Sequence, residues 1–297
     1  MSQAPADRRA TSLILLAALG WPLIEAVGGL LMARHTPYQV VVLRYSAHLV
    51  ILLPLALLRS GTDLFRTRRP VLQLVRGFSM FLMPVVFVAG SMSGGAAWVW
   101  SAFWCLVVLV LLGALLLGER PASTAWVVAG VGFVGSWFAR GSPTGSLGAA
   151  GFGVASAVCF GGYVVLSRLL REEDLGTSLF YTAVGALVPT LFLAAPVWVS
   201  LTTADLLPAL GLGGLSLLIL GSIDLSLERS TLSRVAPWLV AVPALEVVVG
   251  AGLGHGTPGR RALFGCGLIL AVLILWAARS EGVFPYRRPL RELRGAR

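Results

Sequence analysis

Apolar runs of 17 to 23 residues, interrupted by short loops, recur from one end of the chain to the other. Runs of that length predict helices able to cross the hydrocarbon of a bilayer. The first half holds Thr11 to Ala33, Tyr38 to Leu58, Val71 to Met92, Gly95 to Leu117 and Ala122 to Phe138. The second holds Leu147 to Leu169, Ser178 to Ser200, Leu206 to Ile223, Val235 to Leu253 and Arg261 to Ala278, which makes ten. The predicted fold is therefore all-α and integral to a membrane. Residues 1–10 precede the spans as a cytoplasmic N-terminus, 11–140 and 147–278 form two five-helix units, and 279–297 is a basic cytoplasmic tail.

Composition narrows this further. Of 297 residues, 57% are hydrophobic and only 12% charged, half the charged share of a soluble domain, which is about 25%. Mean hydropathy is +0.87. Ten spans with their connections consume the chain, so no second globular domain fits. All 23 basic residues are Arg, against 13 acidic ones, for a net charge of +10. In a soluble chain that excess would suggest nucleic acid; here the Arg residues occupy loops and the tail, where they set orientation. With the N-terminus inside, seventeen Arg fall on the cytoplasmic side and four outside (Arg34, Arg140, Arg260 and Arg261), while Arg44 and Arg76 lie within spans. Both termini are expected in the cytoplasm of a bacterial inner membrane. The polar stretch before Thr11 shows no A-x-A-type cleavage site, so the first span reads as a retained anchor. Cys105, Cys159 and Cys266 sit inside apolar runs without metal or redox spacing and read as packing residues. No cofactor and no metal is implied.

The halves echo one another. Leu117-Gly118 closes the fourth span and Leu253-Gly254 the ninth, and Leu43-Arg44-Tyr45 has a weaker counterpart in Leu179-Phe180-Tyr181. Five spans is an odd number, so two such units insert with opposite orientation, the inverted repeat of many secondary transporters, whose substrates bind near the midplane.

The ordered set Leu43-Arg44-Tyr45, Arg66-Thr67-Arg68-Arg69-Pro70 leading into Leu74-Val75-Arg76-Gly77, Leu115-Leu116-Leu117-Gly118-Glu119-Arg120-Pro121, and Ala236-Pro237 with Pro243 resembles the EamA-type carriers of the drug/metabolite transporter superfamily. The likeness covers essentially the whole chain and is better in the first half. It implies ten helices about a central cavity, alternating access, and a substrate such as an amino acid, riboflavin or S-adenosylmethionine. Two positions depart from the family pattern: Gly254-His255-Gly256 stands where a glutamate is expected, and Glu246 replaces an aromatic residue three after Pro243.

Ionisable groups inside spans are functional candidates, because charge in hydrocarbon is kept for a cavity, a pairing or a relay. Glu25 and Arg44 lie roughly 12 Å and 9 Å from the outer ends of their spans at 1.5 Å per residue. They read either as substrate ligands, Arg44 taking a carboxylate or phosphate and Glu25 an amine or proton, or as a permanent pair between two helices. Glu246 lies roughly 12 Å deep without a charged neighbour one turn away, so its partner must come from another helix or be a proton. His48 follows Arg44 by one turn on the same face. Trp104 and Tyr163, with Trp21, are expected to stack on a planar substrate. Of Trp98 and Trp100, only one can face a cavity. Arg76 is expected to snorkel to the interface, Asp224, Glu228, Arg229 and Arg234 to form a solvated cytoplasmic cluster, and Glu119-Arg120 to end a helix.

No G-x-x-x-x-G-K-[ST] loop, H-E-x-x-H or cysteine with a base occurs, which argues against an ATPase or an enzyme. The reading is a secondary transporter of a small-molecule substrate, with membrane lipid as surroundings, a proton as coupling ion and no nucleic acid, acting as a monomer or homodimer. A lipid-headgroup flippase and a non-transporting membrane scaffold are the alternatives.

Overall fold

Inside hydrocarbon a backbone N–H or C=O finds no partner except along its own helix or in a closed barrel, and each apolar run is helical in the computed structural model, which describes residues 4–140, 145–254 and 256–280. Twelve helices follow in order: α1 (Ala4–Met32), α2 (Pro37–Ser60), α3 (Pro70–Gly90), α4 (Ala96–Phe103), α5 (Leu106–Leu116), α6 (Ser123–Ala139), α7 (Ala150–Leu169), α8 (Leu175–Ala194), α9 (Thr203–Arg229), α10 (Leu232–Val235), α11 (Ala241–Gly252) and α12 (Arg260–Ser280). Among the described residues there is no strand, and eight helical stretches are long and apolar enough to cross a membrane. The protein is all-α and of multi-pass membrane type. Residues 281–297, with Arg287, Arg288, Arg291, Arg294 and Arg297 of the basic tail, lie outside the described residues, as do Met1 to Gln3, 141–144 and His255.

Local chemistry sets the helix ends. Thr36 accepts the Gln39 N–H and Pro37 opens α2. Asp174 accepts the Thr177 N–H at the start of α8, and Thr202 with Asp205 forms a capping box on α9, each satisfying donors that a helix leaves free. Several predicted spans differ in detail: α1 starts at Ala4 rather than Thr11, and the eighth span, α9, runs on to Arg229 rather than ending at Ile223. The fourth is broken at Trp104–Cys105 into α4 and α5. The ninth is broken through a tight 3₁₀ stretch, Ala236–Val240, where Pro237 has no N–H to donate. The seventh stops at Ala194 rather than Ser200, ahead of Pro196. After α3 the chain turns through Ser91–Gly95, and Gly94 takes φ 82°, a conformation only glycine adopts freely.

Packing follows one scheme twice. Helix α1 lies along α9 as α7 lies along α3; α2 meets α9 as α8 meets α3; α2 pairs with α8 and α6 with α12. Close approach depends on glycine. A side chain on Gly77 of α3 would strike the Tyr181 carbonyl and Gly185 of α8. A side chain on Gly213 of α9 would strike Ala47 and His48 of α2. The core thus lies at the seams between the two runs of helices, with Tyr45, Tyr163, Phe160 and Met80 fully buried.

Two ends are distinguishable. At the upper end, the Gln39 amide of α2 donates to the Val199 carbonyl and accepts the Val199 N–H, and Arg34 pairs with Asp205 at 2.8 Å. At the lower end, Glu173 accepts the Arg68 N–H, and Arg69 donates to the Leu169 carbonyl. There too the Glu119 carboxylate accepts the Leu232 and Ser233 N–H groups. Glu119 therefore caps α10 as well as ending its own segment.

Candidate functional site

A cavity of about 780 Å³ lies between α1, α2, α3, α4 and α9. It reaches the upper end, where Met32 and Met92 are exposed at its rim. Its wall is mostly apolar and includes the rings of Trp21, Phe87, Trp100 and Phe103. Glu25, Arg44 and Arg140 bring charge to it. An apolar pocket of several hundred Å³ with a few convergent polar groups has the character of a small-molecule site.

Glu25 and Arg44 face this one cavity but do not pair, contrary to the reach expected for them. Seven residues separate Glu25 from the end of α1 and Arg44 from the start of α2, so both sit roughly 10 Å below the upper end. Glu25 accepts a hydrogen bond from Trp21 Nε1 at 3.1 Å and lies 3.9 Å from Arg140 Nη2. Arg44 Nε donates to Ser216 Oγ of α9 at 3.0 Å, and its guanidinium stands 5.2 Å from the Tyr45 ring centre. Arg44 enters no ion pair with a carboxylate among the described residues. Neither of its terminal nitrogens makes a hydrogen bond among the described residues, and Arg44 lines the cavity.

Arg140 was expected in an outer loop. It instead follows α6 directly and turns inward, with its guanidinium 4.0 Å from the Trp100 ring centre, a cation–π contact that orients it. There it stands 3.7 Å from Glu246 Oε2 as well as facing Glu25. Glu246 thus meets a cation just past α6, one of the two outcomes that its isolation in the sequence left open. Both Glu246 oxygens are buried and accept no hydrogen bond. Two carboxylates on α1 and α11 share one guanidinium.

The remaining candidates lie elsewhere. His48 is fully buried, with Nδ1 3.4 Å from Ser216 Oγ, in the seam between α2 and α9. Trp104 does not reach the cavity: the break after Phe103 leaves it 3% exposed. It packs between Trp21 at 6.2 Å and Trp100 at 5.3 Å, and Trp100 presents the ring to the cavity in its place. Trp98 pairs with Trp137 at 4.7 Å.

Tyr163 stacks on Phe160 rather than on a ligand surface, and it belongs to a buried lower cluster the sequence reading missed. Arg76 does not snorkel: it is 1% exposed and donates to Asp224 Oδ2 at 2.5 Å. Asp224 is not in a solvated loop but in the last turns of α9, facing inward. Tyr163 donates to Asp224 Oδ1 at 3.2 Å and accepts from Arg76 at 3.3 Å. A buried charge survives when it is paired and hydrogen-bonded. The signal was present in the sequence as two opposite charges within apolar stretches, Arg76 before Gly77 and Asp224 after Ile223. Nearby, Arg168 donates to the Leu227 carbonyl and lies 3.6 Å from Glu119.

No family model and no curated protein matches the sequence. Among 29 solved chains of similar fold, one protein crystal structure superposes with a TM-score of 0.75 at 20% identity. It covers 91% of this chain and 96% of that one, so the fold is shared over nearly the whole of both.

Proposed function

We propose that the chain is a secondary carrier of the EamA type, moving a small organic metabolite across a bacterial inner membrane by alternating access. The observation that carries this reading is the 780 Å³ cavity with Glu25, Arg44 and Arg140 on an otherwise apolar, aromatic wall. Four of its five helices belong to the first half and one, α9, to the second, so motion between the halves reshapes it. In this reading the bundle has ten crossings. The turn at Gly94 separates α3 from α4; α4 with α5 makes one crossing, α10 with α11 another, and the 17 residues of α6 reach roughly 26 Å.

The repeated packing scheme supports two oppositely inserted halves. So does a constant spacing of 136 residues between equivalent positions: Leu43 and Leu179, Tyr45 and Tyr181, Gly77 and Gly213, Gly118 and Gly254. Gly77 and Gly213 relieve equivalent seams, and Gly118 and Gly254 turn with φ 79° and 82°.

In this reading Arg44 takes an anionic group of the substrate and the rings of Trp21 and Trp100 take a flat apolar part. The Glu25, Arg140 and Glu246 group carries two negative charges against one positive, and an amine or a proton supplies the balance. Counterflow in proteoliposomes tests the proposal without assuming a driving force. Vesicles are preloaded separately with aromatic and aliphatic amino acids, riboflavin, S-adenosylmethionine and a polyamine. Saturable exchange of one class, lost in Arg44→Ala, is expected. Silence across the panel with folded protein, or movement of a labelled short-chain phospholipid alone, refutes it, the latter in favour of a flippase.

A further inference from the structure

The 136-residue spacing relates the open cavity to a second, nearly closed space. Val88 and Met92 of the first half and Leu212 of the second line the cavity. Their equivalents at that spacing are Asp224, Glu228 and Arg76. Those three line one crevice of about 20 Å³ at the lower end, together with Ser178, Ser167 and Glu173. Met83 and Ile219, equivalent to each other, both line the cavity, as residues nearest a pseudo-twofold axis would. The crevice is therefore where an inverted repeat would place the counterpart of the cavity, and the counterpart is closed.

What closes it is specific. Arg76 of α3, Asp224 of α9 and Tyr163 of α7 form a triangle of hydrogen bonds, and the Arg76 guanidinium lies 4.8 Å from the Tyr163 ring centre. One turn before Arg76, Gln73 donates to Ser178 Oγ at 3.3 Å. Both Arg76 Nε and Gln73 Oε1 are buried without a partner. A purely structural pair in an apolar core is expected to have its remaining polar atoms satisfied; here two are not, and one of them belongs to Arg76, which lines the crevice.

We infer that Arg76, Asp224 and Tyr163 form the latch of the lower half of the substrate route. In the opposite state Arg76, Asp224 and Glu228 line an open vestibule while the upper cavity shuts. The substrate then passes from a wall with Arg44 as its unpaired cation to one where Arg76 and Asp224 are separated and exposed, which suits a polar or charged organic solute. This rests on the carrier reading above, but its test does not need transport.

Cys105, Cys159 and Cys266 are replaced by Ala, and single reporters are introduced as Ser178→Cys in the crevice and Val88→Cys in the cavity. Modification rates with a charged methanethiosulfonate are measured on the purified full chain in micelles. Asp224→Asn is expected to raise the rate at position 178 about tenfold and roughly to halve that at position 88. That pair of changes follows when a state populated at about 5% rises to about half. Tyr163→Phe, a milder change that keeps the ion pair, moves both rates in the same directions by less and decides the matter if Asp224→Asn does not purify as a single species. A rise at 178 with no fall at 88 means local loosening around a structural pair and overturns the inference, as does no change at either site. Reciprocal rates without any counterflow would leave the latch standing and remove the carrier reading; counterflow without reciprocity would do the opposite.

Discussion

Gly265 and Gly267 lie two residues apart on α12, and the same substitution to Ala is expected to act on them in opposite directions. A methyl group on Gly265 would stand 2.5 Å from the Gly135 carbonyl oxygen and 2.9 Å from the Phe138 carbonyl carbon, and closer still to the Ala139 nitrogen. All three are backbone atoms of α6, so no rotamer change relieves them. The two helices must separate by about 1 Å to restore ordinary contact at roughly 3.5 Å, losing dispersion along the seam. Overpacking costs about 1–3 kcal/mol, and three backbone clashes place this site in the upper part of that range. Replacing a helical glycine returns roughly 0.5–1 kcal/mol, leaving a net loss of about 2 kcal/mol for Gly265→Ala. Around Gly267 nothing lies within 4 Å, so Gly267→Ala keeps the gain alone. Unfolding in mixed micelles with rising SDS, followed by the fluorescence of the nine Trp residues, reads the difference as a shift in midpoint. Equal midpoints for the two variants, or Gly265→Ala more stable than wild type, would refute the packing argument.

Three further expectations follow from the site. Arg44→Gln should raise the half-saturation of exchange about 10- to 100-fold, the worth of a charge-assisted hydrogen bond of roughly 1.5–3 kcal/mol, with maximal exchange much less affected; unchanged half-saturation in concentration-dependent counterflow would remove Arg44 from the substrate site. Glu25→Gln combined with Glu246→Gln should abolish flux driven by a pH gradient while sparing counterflow, and undiminished pH-driven flux would exclude both as the coupling group. Glu119→Ala leaves the Leu232 and Ser233 N–H groups without their acceptor and should lower stability by about 1 kcal/mol in the same SDS titration, whereas Glu119→Gln should recover part of it.

Crossing helices were legible in the sequence because an apolar run of bilayer length has few other solutions, and α2, α7 and α12 begin and end within a few residues of their expected bounds. The breaks were less so. Pro237 announces the one in the ninth segment, but Trp104–Cys105 carries no proline or glycine. Depth along a helix placed Glu25 and Arg44 at one level, and depth is all that a span provides: facing requires the neighbour. Glu25 and Arg44 therefore turned to Arg140 and Ser216 rather than to each other. Arg140 was hidden because a basic residue just past a span ordinarily belongs to the loop, and the Trp100 ring and the two carboxylates that it meets come from distant parts of the chain. Arg76 and Asp224 are 148 residues apart, and pairing at that range is invisible until α3 and α9 are seen to face one another.

The break at Trp104–Cys105 has a mechanical meaning. Helix α4 supplies Ala96, Ala97, Trp100 and Phe103 to the cavity wall, whereas α5 supplies none and is wedged among α7, α6 and α10 with Leu106, Val110, Leu111 and Ala114 buried. An unbroken helix would be a stiff rod, and tilting its upper half would lever the lower half out of that wedge. Trp104 and Cys105 keep φ, ψ of −75°, 0° and −61°, −10°, a tightened turn at which the aromatic panel carrying Trp100 is expected to flex while α5 stays in place. Flexing at that turn and at Gly94, which bound α4 on either side, would let the wall close on an occupant without straining the seam beneath it.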